Sequence, residues 1–150
     1  MDGLRTFAIS LAWIAVPGVH AYMQAPQMSK QLIAHRGASA YAPEHTLTAY
    51  RLAIVQDADY VEQDLAVTRD GVLICLHDDS LERTTNVEEV FPERATTDPA
   101  TGRRQWLAVD FTLAEIKQLD AGSWFDPKFA GERVPTWEEA VAAVGTMAGL

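Results

Sequence analysis

Three apolar runs in this chain meet charged or titratable residues, and that arrangement limits the fold more than any other feature of the sequence. Leu32-Ile33-Ala34 stops at His35-Arg36-Gly37, Tyr60 to Val67 carries Glu62 and Asp64, and Val72 to Leu76 stops at His77-Asp78. Short apolar runs rich in strand formers read as buried strands, and a glycine straight after one marks the turn into a functional loop. Between the first two runs, Pro43-Glu44-His45-Thr46 opens a helix with Thr46 as its cap. Leu47, Tyr50, Leu52, Ala53 and Ile54 keep helical spacing to about Gln56. Arg69-Asp70-Gly71 is a tight-turn signal. Strand, helix, strand and a further strand predict an α/β domain with a mainly parallel sheet.

The rest of the chain is organised around that unit. From Asp79 to about Val134, Thr, Pro, Gly and charges dominate, which reads as an insertion without regular strands. It holds one expected helix, Thr112 to Leu119, with Glu115 three residues beyond Thr112. Thr136 to Glu139 forms a second capping box after Pro135 and opens an amphipathic helix to about Met147. At the other end, Arg5 precedes an apolar run from Thr6 to Val16, a Pro17-Gly18 break and small residues at Val19 and Ala21. That pattern predicts a cleaved signal peptide over 1–21 and a periplasmic or secreted mature chain beginning at Tyr22. The run is too short to span a bilayer comfortably. A net charge of −9 argues against nucleic acid or an anionic membrane as partner, since both attract basic surfaces. Cys75 is the single cysteine and has Leu73, Ile74 and Leu76 around it, so it reads as a buried strand thiol and not a nucleophile.

The polar residues at the strand ends carry the chemistry. Glu62 and Asp64 are two apart, so on a strand they share a face. Two carboxylates on one buried face repel unless a cation lies between them, and oxygen-only ligation suits Ca²⁺ or Mg²⁺ better than zinc. A solvent-facing strand edge is the competing explanation. His35 and His77 taken singly read as hydrogen-bonded structural residues. Together, two imidazoles can supply one general base and one general acid. Arg36 offers a planar, permanently charged fork for phosphate oxygens. Base, acid, guanidinium and a hard cation at successive strand ends point to phosphodiester hydrolysis.

Those residues resemble a known family. Ala34-His35-Arg36-Gly37-Ala38, Pro43-Glu44-His45-Thr46, Glu62-x-Asp64, Asp70-Gly71 and His77-Asp78 with Leu81-x-Arg83-Thr84-Thr85-Asn86 resemble the glycerophosphodiester phosphodiesterases in order and spacing. More loosely, Val90 to Arg94, Asp110 to Leu113 and Gly122 to Phe125 look like the insertion of the family's periplasmic branch. The resemblance implies a TIM-barrel phosphodiesterase with a small inserted subdomain over 79–134, its site at the C-terminal ends of the strands. It implies His35 and His77 as the acid/base pair, Arg36 on the phosphate, and Glu62 and Asp64 on the metal. Glu44 and Asp78 are expected to support the site, with a metal contact open for Glu44. Trp124 and Phe125 are candidates for the substrate mouth or for plain subdomain core. His45 stands where the family usually has Asn, which implies a changed hydrogen bond in preference to a third catalytic histidine.

The implied reaction releases sn-glycerol 3-phosphate and an alcohol from a small-molecule glycerophosphodiester. Two rivals keep the same residues: a lysophospholipase D- or sphingomyelinase D-like phosphodiesterase, and a non-catalytic half-barrel. Family members bring a further metal-binding Glu, and a Lys two residues on, from the strand after the last helix expected here. A complete barrel needs roughly 250 residues, so only the first half of the barrel is expected in 150. Its strands are expected to leave an open edge and an exposed apolar face, which favours self-association.

Overall fold

Helices begin where a side chain can take up their first free amides. Thr46 lies in extended backbone, and its Oγ1 accepts the Ala49 N–H at 3.2 Å, which starts helix α1, Leu47–Val55. The structure, a computed structural model, describes residues 30–145. The segment read as a signal peptide lies outside them, as do the last residues expected of the final helix. Thr112 and Glu115 exchange hydrogen bonds as a capping box ahead of a single-turn helix, Leu113–Ile116. Thr136 and Glu139 do the same, at 3.1 and 2.8 Å, ahead of the last described helix, Trp137–Gly145. All three caps fall where the sequence placed them.

Strand pairing departs from the expectation. Strand β1, Ile33–Ala34, runs parallel to β2, Tyr60–Val61. Strand β3, Leu65–Val67, instead runs antiparallel to β4, Leu73–Cys75, with Ala66 opposite Ile74. A third pair, β5 (Thr96–Thr97) and β6 (Arg104–Gln105), is also antiparallel and lies within the stretch expected to lack strands. The α/β class holds, but the described pairing is not mainly parallel. Parallel neighbours need a long crossover, whereas Arg69-Asp70-Gly71 returns the chain at once. Gly71 sits at φ 80°, and Thr68 N–H reaches Val72 O at 3.0 Å.

The run from Tyr60 to Val67 also breaks in two. Residues 62–64 lie between β2 and β3, outside either strand, so the period-two argument for Glu62 and Asp64 does not apply to them. At the break, Glu62 Oε2 accepts the Arg36 N–H, and the Asp64 carbonyl accepts the Leu76 N–H at 3.1 Å, one step beyond the β3–β4 pairing.

Two apolar clusters hold the unit together. The larger joins Ile74 and Leu76 to Leu81, Val87, Trp106, Phe111, Ile116, Leu119 and Val134, so strand β4 and the segment from 81 to 134 share one core. Each large side chain buried this way contributes about 1.5–3 kcal/mol. The smaller places Tyr50 of α1, Cys75 of β4 and Ala140 of the last helix in contact. Cys75 is buried at 1% exposure, as its neighbours suggested. The outer faces of the strand pairs stay open, with Leu32, Ile33, Tyr60, Leu65, Val67 and Leu73 all exposed. No helix among the described residues is long and apolar enough to cross a membrane.

Candidate active site

The loop after β1 is built on unusual backbone. Arg36 and Gly37 are both left-handed, at φ 59° and 82°. A Cβ on Gly37 would lie 2.9 Å from the carbonyl carbon and Cβ of Ala49, so glycine is what lets the loop press against α1. His45 is left-handed too (φ 56°), and its N–H donates to the Arg36 carbonyl at 3.1 Å. Left-handed non-glycine backbone is costly and persists only where its surroundings fix it. Among the described residues just three non-glycines adopt it, and two of them are these.

Around that loop the side chains form one connected network. The Arg36 N–H donates to Glu62 Oε2 at 2.8 Å, and Arg36 Nη1 donates to Glu44 Oε1 at 3.2 Å. Arg36 Nε lies 3.4 Å from Asp64 Oδ2 without hydrogen-bond alignment, so this buried N–H has no partner. Arg83 grips Glu44 from the other side, Nη2 to Oε1 at 2.7 Å and Nη1 to Oε2 at 3.1 Å. Its Nε donates to Asp78 Oδ2, and Asp78 Oδ1 meets His77 Nδ1 at 2.5 Å. Burial pushes the Glu44 carboxyl up, but the hydrogen bonds and charges of Arg83 and Arg36 outweigh it and hold the group below its ordinary range. The Arg83 hydrogen bond, with His77 assisting, lowers Asp78 likewise against its partial burial.

The two expected catalytic histidines differ in how they are held. A carboxylate can only accept, so Asp78 fixes the proton on His77 Nδ1 and leaves Nε2 to act as base or, once protonated, as acid. His35 is exposed, its ring makes no hydrogen bond among the described residues, and its carbonyl accepts the Ser39 hydroxyl at 2.8 Å. His45 is buried, with Nδ1 2.8 Å from the Tyr50 hydroxyl and Nε2 3.2 Å from Asp64 Oδ2. Burial lowers its pKa, and the hydrogen bond and charge of Asp64 oppose that only in part.

Arg36, Glu44, Glu62, Asp64, Asp78 and His77 are therefore brought into one network, with Arg83 as the link between its halves. Among the described residues, Trp124 and Phe125 make no hydrogen bond to this network. They stack edge to face at 5.7 Å, and Trp124 lines a cleft of about 370 Å³ with Thr85, Asn86, Glu89, Asp120 and Ser123. Arg83 stands in the Leu81-x-Arg83-Thr84-Thr85-Asn86 motif, which on its own gives it no role. A lone arginine a few residues past His77-Asp78, amid Thr84 and Thr85, was the available sign.

In kind and charge, this network suits a divalent cation. Four carboxylates (Glu44, Glu62, Asp64 and Asp78) face two guanidiniums, which leaves an excess of negative charge. Every candidate donor is oxygen, and the misaligned Arg36 Nε shows that Asp64 is not committed to it. Among the described residues no three His, Cys, Asp or Glu side chains are gathered closely enough to hold an ion by themselves. Mg²⁺-type sites commonly use one or two carboxylates and complete the shell with water or substrate phosphate.

Comparison with known proteins identifies the class. Residues 35–149 match the glycerophosphoryl diester phosphodiesterase family, and the chain belongs to it. It is 43% identical over 121 residues to a glycerophosphodiester phosphodiesterase of Bacillus subtilis, covering 75% of this chain and 36% of that one. Against the enzyme of that name in Haemophilus influenzae, identity is 42% over 147 residues, covering 90% and 39%. Among solved structures, the glycerophosphodiester phosphodiesterase of Agrobacterium tumefaciens superposes with a TM-score of 0.65 at 36% identity, covering 80% and 45%. An Oleispira antarctica phosphodiesterase in complex with its product sn-glycerol-3-phosphate gives 0.65 at 37%, covering 79% and 41%. The fold is thus part of a TIM barrel, and the chain spans about two fifths of the length of the curated relatives it matches.

Proposed function

We propose that this chain carries part of a glycerophosphodiester phosphodiesterase site, hydrolysing glycerophosphodiesters to sn-glycerol 3-phosphate and an alcohol with the help of Ca²⁺ or Mg²⁺. The observation that carries the reading is the continuous network from His77 through Asp78, Arg83, Glu44 and Arg36 to Asp64. It joins the imidazole after β4 and the guanidinium after β1 to the carboxylates of Glu44 and Asp64, which supports reading them as an acid/base group, a phosphate-binding fork and metal ligands. The product held by the Oleispira relative supports the substrate class.

In this mechanism one of His35 and His77 takes a proton from the nucleophile, water or the substrate's own hydroxyl. The nucleophile's oxygen bonds to phosphorus, the phosphorus–oxygen bond to the alcohol breaks, and the other histidine protonates the departing oxygen; where the substrate's own hydroxyl attacks, water then opens the cyclic phosphate so formed. Asp78 keeps His77 in the one tautomer whose Nε2 can do either task. Arg36 meets the phosphate through Nη2, which has no partner among the described residues. Glu62 and Asp64, with Glu44 close by, would hold the metal, which neutralises charge on the phosphate oxygens when bound. We place the enzyme in the periplasmic branch, exported by the segment 1–21, on the character of that segment and of the insertion.

The test is release of sn-glycerol 3-phosphate from glycerophosphoethanolamine by the purified chain. Turnover with added Ca²⁺ or Mg²⁺ that stops in EDTA is expected. Turnover indifferent to chelation would overturn the metal assignment, and none under any condition would deny activity to this stretch of the barrel.

A further inference from the structure

A buried histidine on a loop needs partners, and His45 has them on both ring nitrogens. It is 3% exposed, and it occupies the position where the family resemblance has asparagine. Asp64 can only accept, so the 3.2 Å contact at Nε2 requires the ring proton to be there. A neutral ring then carries a lone pair on Nδ1, and the Tyr50 hydroxyl, 2.8 Å away, must donate to it. Tyr50, on the buried face of α1, is wholly buried, and the Cys75 thiol is the other polar group against its hydroxyl. Donation therefore runs in one direction, from Tyr50 through the imidazole to Asp64.

The same carboxylate has a second neighbour that does not hold it. Arg36 Nε attracts Asp64 Oδ2 at 3.4 Å but is misaligned for a hydrogen bond. The direction of the Asp64 carboxylate is accordingly set by His45, and its Oδ1 is left without a partner among the described residues.

We propose that His45 is a positioning residue: held in its Nε2–H tautomer by Asp64 and seated from behind by the Tyr50 hydroxyl, it aims the Asp64 carboxylate into the site. The use of that aim rests on the phosphodiesterase reading; the tautomer does not. A side chain that holds a metal-binding carboxylate in this way commonly changes metal affinity without touching the ion.

Nitrogen-15 NMR of the full chain decides the tautomer. In a chain with 4 histidines the resonances can be assigned by substitution. His45 is expected to show a protonated Nε2 and an unprotonated Nδ1 at neutral pH, and Tyr50→Phe, which leaves the Asp64 acceptor in place, is expected to keep that tautomer. A protonated Nδ1 in the folded wild-type chain overturns the inference. Calorimetric titration with Ca²⁺ alone then separates positioning from packing. His45→Leu is expected to weaken binding about 10- to 100-fold, while His45→Gln, whose amide nitrogen falls near the place of Nε2, stays within about threefold. Equal weakening in both variants at matched melting temperature makes His45 a packing residue and sinks the proposal. If the wild-type chain binds no Ca²⁺, the metal assignment fails separately and the tautomer result alone decides for or against His45.

Discussion

Carboxylates do two different jobs in this molecule, and the segment from 81 to 134 shows the plainer one. Asp120 accepts the N–H groups of Gly122, Ser123 and Gly131 at 2.9, 2.7 and 2.6 Å. Burial pushes it up, but those backbone donors bring it down to about 2. Glu115 is held at about 2 by the Thr112 backbone and hydroxyl and by Arg94. Both close a local turn or helix start with nearby backbone N–H groups, and Glu115 also takes the Arg94 and Arg69 guanidiniums. At the strand ends, Glu44 and Asp64 have no backbone donor among the described residues and answer only to guanidinium and imidazole side chains. The first arrangement spends its charge on folding. The second keeps charge, a free Asp64 oxygen and strained backbone available for a ligand.

If that division is right, substitutions should sort cleanly between the two regions. The largest effect is expected at the histidines: His77→Ala or His35→Ala should lower release of sn-glycerol 3-phosphate by about 10²- to 10⁴-fold. Their melting temperatures should match wild type, because both rings are exposed. A large loss of stability in either would break the contrast. Asp120→Ala should do the reverse, costing about 1–2 kcal/mol in urea denaturation by removing the acceptor of three backbone N–H groups, two of them open to water. Activity per folded molecule should be unchanged. Gly37→Ala should fall between the two, losing about 1–3 kcal/mol to the Ala49 clash and the left-handed backbone, together with activity.

The smallest effect is a pH dependence. The folded pKa of Glu115 is depressed from 4.5 to about 2, so the stability it supplies is fully present above 4.5 and is lost as pH falls toward 2. Solvent screening keeps its size modest. Urea midpoints of wild type and Glu115→Gln should differ at pH 6 and converge toward pH 2. A constant gap would mean that Glu115 acts by shape and not by charge.

Much of the local structure could be read from neighbours in the sequence. The caps at Thr46, Thr112 and Thr136, the Gly71 turn and the buried Cys75 each depend on residues close by in the chain. What could not be read depends on distant partners. Arg83 meets Glu44 across 39 positions, and Arg36 meets Glu62 across 26. No periodicity within Tyr60 to Val67 could announce that its middle would lie outside either strand. The candidate residues were identifiable by type, whereas their wiring through Arg83 and the depth of His45 needed the fold.

Cys75 has one more consequence. It is the chain's single thiol, buried beneath Tyr50 and against Ala140. An alkylating reagent can reach it only when the packing of Tyr50 and Ala140 over β4 opens. The rate of its modification is therefore a built-in clock for that breathing motion, readable by mass spectrometry without attaching any reporter.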